Sequence, residues 1–260
     1  MLTTSELHDI AKKAEHIFAR YGLACCLTGG VACQLYGTTR LPNDVDLVVL
    51  TTTYQQEELK RMLVKADPQF YLVSSKDPYA TYKVLWYRFG TIYSGFARRC
   101  KVDLLAPGIM NIPDVPKRYI ETIGGLPAMP LMLLLFMKLQ ARTDHRDSPK
   151  DFMHPKQWSD VFDINQLLDI ASCRGETIRE KTKWMPQSFV DAALSRIREY
   201  IANIPESKSK WRAIGYDGVQ SMPSGASSRH TTTEQKAYQT LLSRAAVRTW
   251  QQSVHGLDDL

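Results

Sequence analysis

Two aspartates stand two positions apart in a segment that otherwise predicts a buried strand. The segment reads Asn-Asp-Val-Asp-Leu-Val-Val-Leu, with carboxylates at Asp44 and Asp46. Side chains alternate between the faces of a strand, so Asp44 and Asp46 project from one face with their Cα atoms about 6.5–7 Å apart. Val45 and Leu47 face the packed interior instead, which spares the carboxylates the cost of unpaired burial. This spacing lets both carboxylates reach a shared divalent cation, and oxygen ligands of this kind suit Mg²⁺.

A third acid, Asp103, occupies the same setting in a later predicted strand, Lys-Val-Asp-Leu-Leu-Ala-Pro. Val102 and Leu104 point away from it. If the two strands are neighbours, three carboxylates gather on one face of the sheet and repel each other strongly unless cations are present. Two metal ions about 3.5–4 Å apart are a known solution for phosphoryl and nucleotidyl transfer. The acids therefore predict a site for two Mg²⁺ ions, with Mn²⁺ as an alternative.

Gly29 and Gly30 lie where an apolar strand turns into a short helix. Glycine lets the backbone approach a ligand closely, and the N–H groups at a helix N-terminus favour anions such as phosphate. A double glycine alone is more often a tight turn. Combined with the three acids, it predicts a phosphate-binding turn beside the metal site.

These residues need a sheet to position them, and the sequence predicts an α+β fold. An N-terminal sheet domain is expected over residues 1–108, and a mainly helical C-terminal domain over 109–260, with a flexible loop at about 205–232. A first helix is predicted within residues 1–22, before a turn at Tyr21-Gly22, and further helices at about 31–36, 54–66, 130–142, 157–171, 188–201 and 233–251. Strands are predicted near 23–28, 45–50, 69–75, 81–89 and 101–106, with a turn and strand start at 90–99 and two short extended pieces around Gly124-Gly125.

Composition is that of an ordinary globular chain: 260 residues, 44% of them hydrophobic, with a formal net charge of +6. The most apolar run, residues 129–137, is too short to cross a bilayer. Five cysteines without CxxC spacing favour reduced thiols over disulfides or a zinc site. We therefore expect an intracellular, cytoplasmic protein with no membrane partner.

The three motifs together resemble the nucleotidyltransferase superfamily, which includes DNA polymerase β, kanamycin nucleotidyltransferase and bacterial nucleotidyltransferase toxins. They read Leu-Thr-Gly-Gly-Val-Ala, Asn-Asp-Val-Asp-Leu and Lys-Val-Asp-Leu-Leu, and the antibiotic- and toxin-type members are the most similar in style. The resemblance implies a polymerase β-like mixed sheet with helices on one face. It also implies that Asp44 and Asp46 hold the catalytic metals, that Asp103 completes the site and helps deprotonate the acceptor hydroxyl, and that Gly29 and Gly30 cradle the β- and γ-phosphates.

Two cations enter through the same resemblance. Relatives often carry an arginine shortly before the first acid in an Arg-x-Thr-x-Asp arrangement, which Arg40 matches only in part because the sequence here is Arg-Leu-Pro-Asn-Asp. Lys138 corresponds to a helix lysine that points into the cleft, where it would neutralise the triphosphate; a lysine extending from the end of a buried helix is the alternative. Downstream, Asp160 and Asp163 match a Lys-Asp-x-x-Asp helix, and we expect them to cap helices or form salt bridges rather than touch substrate.

The resemblance implies an enzyme that transfers NMP from an NTP to a hydroxyl acceptor and releases pyrophosphate. RNA or a tRNA end, a small molecule and a protein all remain open as acceptors. The alternative is a catalytically silent nucleotide- or RNA-binding module on the same fold, and a structural or antitoxin-type partner is a third reading. His145 and His154 lack metal-ligand spacing. The run Tyr-Lys-Val-Leu-Trp-Tyr-Arg-Phe-Gly could stack a base, but it fits a half-buried strand better.

Overall fold

The computed structural model describes residues 2–75, 79, 81–90 and 98–218. Within it, a first compact unit ends at Leu134 and a second begins at Leu135. The division falls inside a helix, not at residue 108 where the sequence predicted a boundary. The reason is that residues 121–128 form two further strands of the sheet.

The described part of the first unit is built on a mixed sheet of seven strands. From one edge to the other the strand order is β3, β4, β5, β2, β1, β7, β6. β2 pairs in parallel with β5 and β1 with β7, and the other neighbours are antiparallel. The strands are β1 (Cys25–Thr28), β2 (Asp44–Val49), β3 (Phe70–Ser74), β4 (Lys83–Arg88), β5 (Arg99–Leu105), β6 (Glu121–Ile123) and β7 (Leu126–Ala128).

Within the described residues, three helices of this unit precede the later strands: α1 (Thr4–Arg20), α2 (Gly29–Tyr36) and α3 (Gln56–Ala66). The predicted apolar face of α1 is confirmed, because Leu7, Ile10, Ala14, Ile17 and Phe18 are all buried. A capping box between Thr3 and Glu6 begins this helix and satisfies backbone N–H groups that would otherwise lack partners.

The strands carry an apolar face and a polar face. In β5 the buried positions Cys100, Val102 and Leu104 alternate with more exposed ones. The same alternation gives the buried residues Leu85 and Tyr87 in β4. The polar face, which carries the three predicted metal ligands, is described with the site below.

The second unit is helical in its described part. Its elements are α4 (Leu131–Arg146), which begins in the first unit, α5 (Lys156–Cys173), α6 (Ile178–Lys181), α7 (Gln187–Asn203) and α8 (Lys208–Ala213). The predictions for α4, α5 and α7 are confirmed to within a few residues. The predicted helix near 233–251 lies outside the described residues, as does most of 90–99.

The predicted loop at 205–232 is wrong at its start. Pro205–Ser207 forms a 3-10 turn that leads directly into α8. Trp211 anchors this short helix: it is fully buried and meets Tyr200 edge to face at 6.0 Å. Burial of one large aromatic side chain outweighs the loop-like composition around it.

All five cysteines are free thiols, and four of them are buried. In the described part of the chain, no helix combines the length and the apolar character needed to cross a bilayer.

Candidate active site

The three predicted metal ligands come together on the polar face of the sheet. Asp44 and Asp46 lie on β2, and in the parallel pair of β2 and β5 the residue opposite Asp46 is Asp103. One carboxylate oxygen of each lies within 4.8 Å of the others, and all three residues are half-buried. Among the described residues, this is the one group of three or more histidine, cysteine, aspartate or glutamate side chains that could hold a metal ion. Three anionic oxygens at this spacing fit a hard divalent cation.

Lys101 is part of this cluster, although the sequence analysis did not single it out. It is opposite Asp44 in the strand pair, and its Nζ forms a salt bridge of 2.7 Å with Oδ2 of Asp103. Burial by itself would lower the pKa of Lys101, but the charges of Asp103, Asp44 and Asp46 outweigh it and the pKa is raised. The ammonium group therefore offsets part of the negative charge. Its position two residues before Asp103, on the same strand face, was the signal available in the sequence.

The apolar side of β5 contributes no nucleophile. Burial, together with the negative charges of Asp44, Asp46 and Asp103, raises the pKa of the Cys100 thiol to about 12. A thiol with that pKa stays protonated at neutral pH and is therefore a poor nucleophile. The chemistry of this region therefore rests on its carboxylates.

Gly29 is shaped around Asp46. It is the first residue of α2 and has a φ of +59°. A Cβ atom at this position would lie 2.8 Å from Cγ of Asp46 and would overlap the carboxylate oxygen. Only glycine therefore allows the start of α2 and the Asp46 carboxylate to lie side by side.

Gly30 packs against the segment that leads into β2. A Cβ atom there would lie 2.8 Å from Cβ of Pro42 and 3.0 Å from Nη2 of Arg40. Pro42, which departs from the pattern of the relatives, is thus a buried residue in contact with the glycine turn. The Thr28 hydroxyl contacts Met129 Sδ at 3.5 Å and does not cap the first turn of α2. The backbone N–H groups of that turn lack this side-chain acceptor, which suits an anion-binding turn.

Lys138 lies in the second unit, within a buried ion cluster. Its Nζ is 3.1 Å from Oδ1 of Asp160 and 2.8 Å from Oδ2 of Asp163. Nδ1 of His145 is 2.7 Å from the other oxygen of Asp160. The expectation that the two aspartates form salt bridges is confirmed, and contact of Lys138 with a nucleotide stays a prediction.

Comparison with solved structures bears on the fold. An antigenic nucleotidyltransferase-like protein from Paracoccidioides brasiliensis superposes with a TM-score of 0.59 over 82% of this chain and 94% of its own, at 16% sequence identity. This chain has the nucleotidyltransferase fold. The suspected resemblance and the predicted mixed sheet are thereby confirmed at the level of architecture.

Two other structures are more distant. JHP933 from Helicobacter pylori gives a TM-score of 0.48 at 13% identity and covers 100% of this chain and 99% of its own. The antibiotic-resistance factor ANT(2'')-Ia gives a TM-score of 0.39 at 11% identity, over 80% of this chain and 99% of its own. Both TM-scores are below 0.5, so neither similarity supports a conclusion about this chain. Neither a protein-family model nor a curated protein matches the sequence.

Proposed function

We propose that this protein is a metal-dependent nucleotidyltransferase that moves NMP from an NTP to a hydroxyl acceptor and releases pyrophosphate. The observation that carries the proposal is the convergence of Asp44, Asp46 and Asp103 within 4.8 Å, on a nucleotidyltransferase fold. The glycine turn packed against Asp46 is a second support, because it brings a helix N-terminus to the carboxylates.

In this proposal Asp44 and Asp46 hold two Mg²⁺ ions, or Mn²⁺ in their place, and Asp103 completes the site. When bound, the ions would neutralise charge on the triphosphate and on the departing pyrophosphate. Asp103 takes up the proton of the acceptor hydroxyl as its oxygen bonds to the α-phosphorus. The bond from that phosphorus to the bridging oxygen breaks, and pyrophosphate leaves. The N–H groups of Gly29 and Gly30 hold the β- and γ-phosphates.

Two cations extend the proposal as phosphate ligands. The position of the Arg40 guanidinium, 3.0 Å from where a Cβ atom of Gly30 would lie, supports a contact with phosphates held at the glycine turn. For Lys138 the proposal requires its ammonium group to be shared between a phosphate and its two aspartates.

The experiment that tests this function has two stages. Titration calorimetry with each non-hydrolysable NTP, with and without Mg²⁺, measures metal-dependent binding. Incubation with each α-labelled NTP and total RNA, then with total protein, shows which acceptor gains label. We expect Asp44→Asn, Asp46→Asn and Asp103→Asn to abolish labelling, and the exposed Asp114→Asn to retain it as the matched control.

Labelling that persists in the Asp46→Asn variant would contradict the proposed roles. Metal-dependent NTP binding without transfer to RNA, to protein or to a small-molecule acceptor would favour the silent binding module instead.

A further inference from the structure

Aromatic and cationic side chains line the same sheet face as the three carboxylates. The strand registers place Tyr71 of β3 opposite Trp86 of β4, and Trp86 opposite Lys101 of β5. Lys101 in turn stands opposite Asp44. Since partner residues in neighbouring strands share a face, one row crosses the sheet from the acids to its β3 edge. Because neighbouring strands are about 4.8 Å apart, the Cα atom of Trp86 lies about 10 Å from that of Asp44, and the Cα atom of Tyr71 lies about 15 Å from it.

Two arginines cover the aromatic end of this row. The guanidinium carbon of Arg99 lies 4.6 Å from the centre of the Trp86 ring, and that of Arg88 lies 4.6 Å from the Tyr71 ring. Arg88 and Arg99 are themselves opposite each other in the β4 and β5 pair. Both are exposed, and neither forms an ion pair with a carboxylate among the described residues. Each guanidinium group therefore lies over an aromatic ring and, within the part of the chain that the structure describes, is not neutralised by a carboxylate.

β4 is the half-buried strand expected from the sequence. The register between strands adds the neighbours of Trp86 on the same face, which the periodicity of a single strand cannot give. It joins two stacked Arg–aromatic pairs into one surface, which we define as the stacking row: Tyr71, Trp86, Arg88 and Arg99. Stacking surfaces interleaved with phosphate-binding cations are typical of single-stranded nucleic-acid sites. Tyrosine, tryptophan and arginine are also enriched at protein interfaces, and it is the continuity of this row with the three carboxylates that favours a nucleic acid.

We propose that the stacking row binds the single-stranded end of a nucleic acid and directs its terminal hydroxyl toward Asp103. Bases stack on the Trp86 and Tyr71 rings or on the guanidinium planes covering them, and phosphates accept hydrogen bonds from Arg88 and Arg99. The net charge of +6 favours such a polyanion. This inference rests on the proposed function, because it names the class of acceptor for that site.

Binding can be measured without nucleotide or metal. The probes are 5′-fluorescein 12-mers of oligouridine, oligoadenine and the corresponding DNA, followed by fluorescence anisotropy at several salt concentrations. We expect Trp86→Ala to weaken the binding of single strands about tenfold. Replacing Arg88 and Arg99 with alanine should reduce the slope of log K against log salt by about 1.4, since each phosphate contact on a single strand contributes about 0.7.

The matched control is the pair of the exposed Arg118 and the half-buried Tyr119, which is not part of the stacking row and in which the guanidinium carbon lies 4.8 Å from the ring centre. Its double alanine variant should bind the probes as the wild type does. If Trp86→Ala fails to fold, Trp86→Leu keeps an apolar side chain in the strand while removing the stacking ring. A preference for RNA over DNA probes would identify the sugar, and either sugar supports the inference.

Unchanged affinity and salt slope in the stacking-row variants would overturn the inference, as would equal binding of a 12-base-pair duplex. Those results would leave the metal-dependent NTP binding of the proposed function untouched. Conversely, if single strands bind at the stacking row but no NTP binds with Mg²⁺, the proposed function fails while the binding surface stands.

Discussion

Asp46 on β2 and Asp103 on β5 stand directly opposite each other in a parallel strand pair. Like charges in that relationship repel, so the pairing carries a cost in the free energy of folding. The salt bridge from Lys101 to Asp103 offsets part of that cost. A bound divalent cation would offset more, and this balance between lysine and metal can be measured.

Lys101→Met should make the three carboxylates depend more on a bound metal ion for charge compensation. Without the ammonium group the three carboxylates repel each other more, so the melting temperature of the metal-free protein should fall. The affinity for Mn²⁺ should rise by about fivefold, equivalent to about 1 kcal/mol for a half-exposed charge. Calorimetry with Mn²⁺ alone measures it, and Lys117→Met, an exposed lysine of the first unit, is the control. Weaker Mn²⁺ binding in Lys101→Met would show that the lysine helps build the site.

Gly29→Ala should damage the site beyond its backbone strain. Gly29 and Gly124 have nearly equal φ values of +59° and +58°, but only Gly29 has a neighbour where Cβ would lie. Alanine at Gly124 should therefore cost only about 1–2 kcal/mol of unfolding free energy. Alanine at Gly29 should cost more and weaken Mn²⁺ binding, because the Asp46 carboxylate must move. Urea unfolding and calorimetry provide the comparison, and equal behaviour of the two variants would refute the contact.

Glu6 should make stability depend on pH. Arg98 donates two hydrogen bonds of 2.7 Å to the Glu6 carboxylate, and with the Thr3 backbone N–H it lowers the pKa of Glu6 from 4.5 to about 2. A lowered pKa means that the contribution is complete above pH 4.5 and is lost as the pH falls toward 2. Glu6→Gln should thus be less stable at pH 7 by about 1 kcal/mol for this partly exposed pair.

The stability gap between the wild type and Glu6→Gln should close between pH 4.5 and 2 in urea unfolding curves. Glu58 is the matched control, because it forms a capping box at the start of α3 without an ion pair to any described residue. Glu58→Gln should lose less stability at pH 7. A gap for Glu6→Gln that stays constant down to pH 2 would contradict the assigned role of Arg98.

Lys138→Met should destabilise the second unit strongly. The side chains of Asp160 and Asp163 are 4% and 0% exposed, so removing the lysine leaves buried carboxylates without its charge. The expected cost is about 3–5 kcal/mol of unfolding free energy. Lys210 makes a 2.7 Å bridge to the exposed Asp169, and Lys210→Met should cost less than about 1 kcal/mol.

Adding Asp163→Asn to Lys138→Met should restore part of the lost stability. If Lys138→Met instead unfolds like the wild type but loses NTP affinity, the lysine serves the nucleotide and the ion cluster is secondary. Thermal unfolding and NTP calorimetry on the same preparation separate the two.

The sequence was sufficient to predict the carboxylates of the site, but not the side chains that lie beside them on the sheet. Alternation along β2 predicted the shared face of Asp44 and Asp46, because a strand has a fixed period of two, whereas Asp103 joins them only because β5 pairs with β2. The partners of that face depend on register between strands distant in sequence. Pairing of Trp86 with Lys101, and the stacking of Arg99 on Trp86, could not be read from local patterns.

The same limit applies to the way in which the chain divides into units. Pairing of β7 with β1 is a contact across about 100 residues, so the linker-like prolines near residue 108 predicted a boundary that the sheet passes over. Around residue 211 the composition is rich in serine and lysine, which predicted a loop. The segment is nevertheless packed, because Trp211 is buried against Tyr200.

The pairing of β7 with β1 also governs how the protein can be dissected. A fragment that stops at residue 108 retains every predicted metal ligand but leaves β1 as an edge strand, with hydrogen-bonding groups open to other molecules. Such a fragment is prone to aggregate, whereas one that extends through residue 134 keeps the edge covered. The position at which the sheet unit should be cut is therefore decided by the strands at its far edge rather than by its carboxylates.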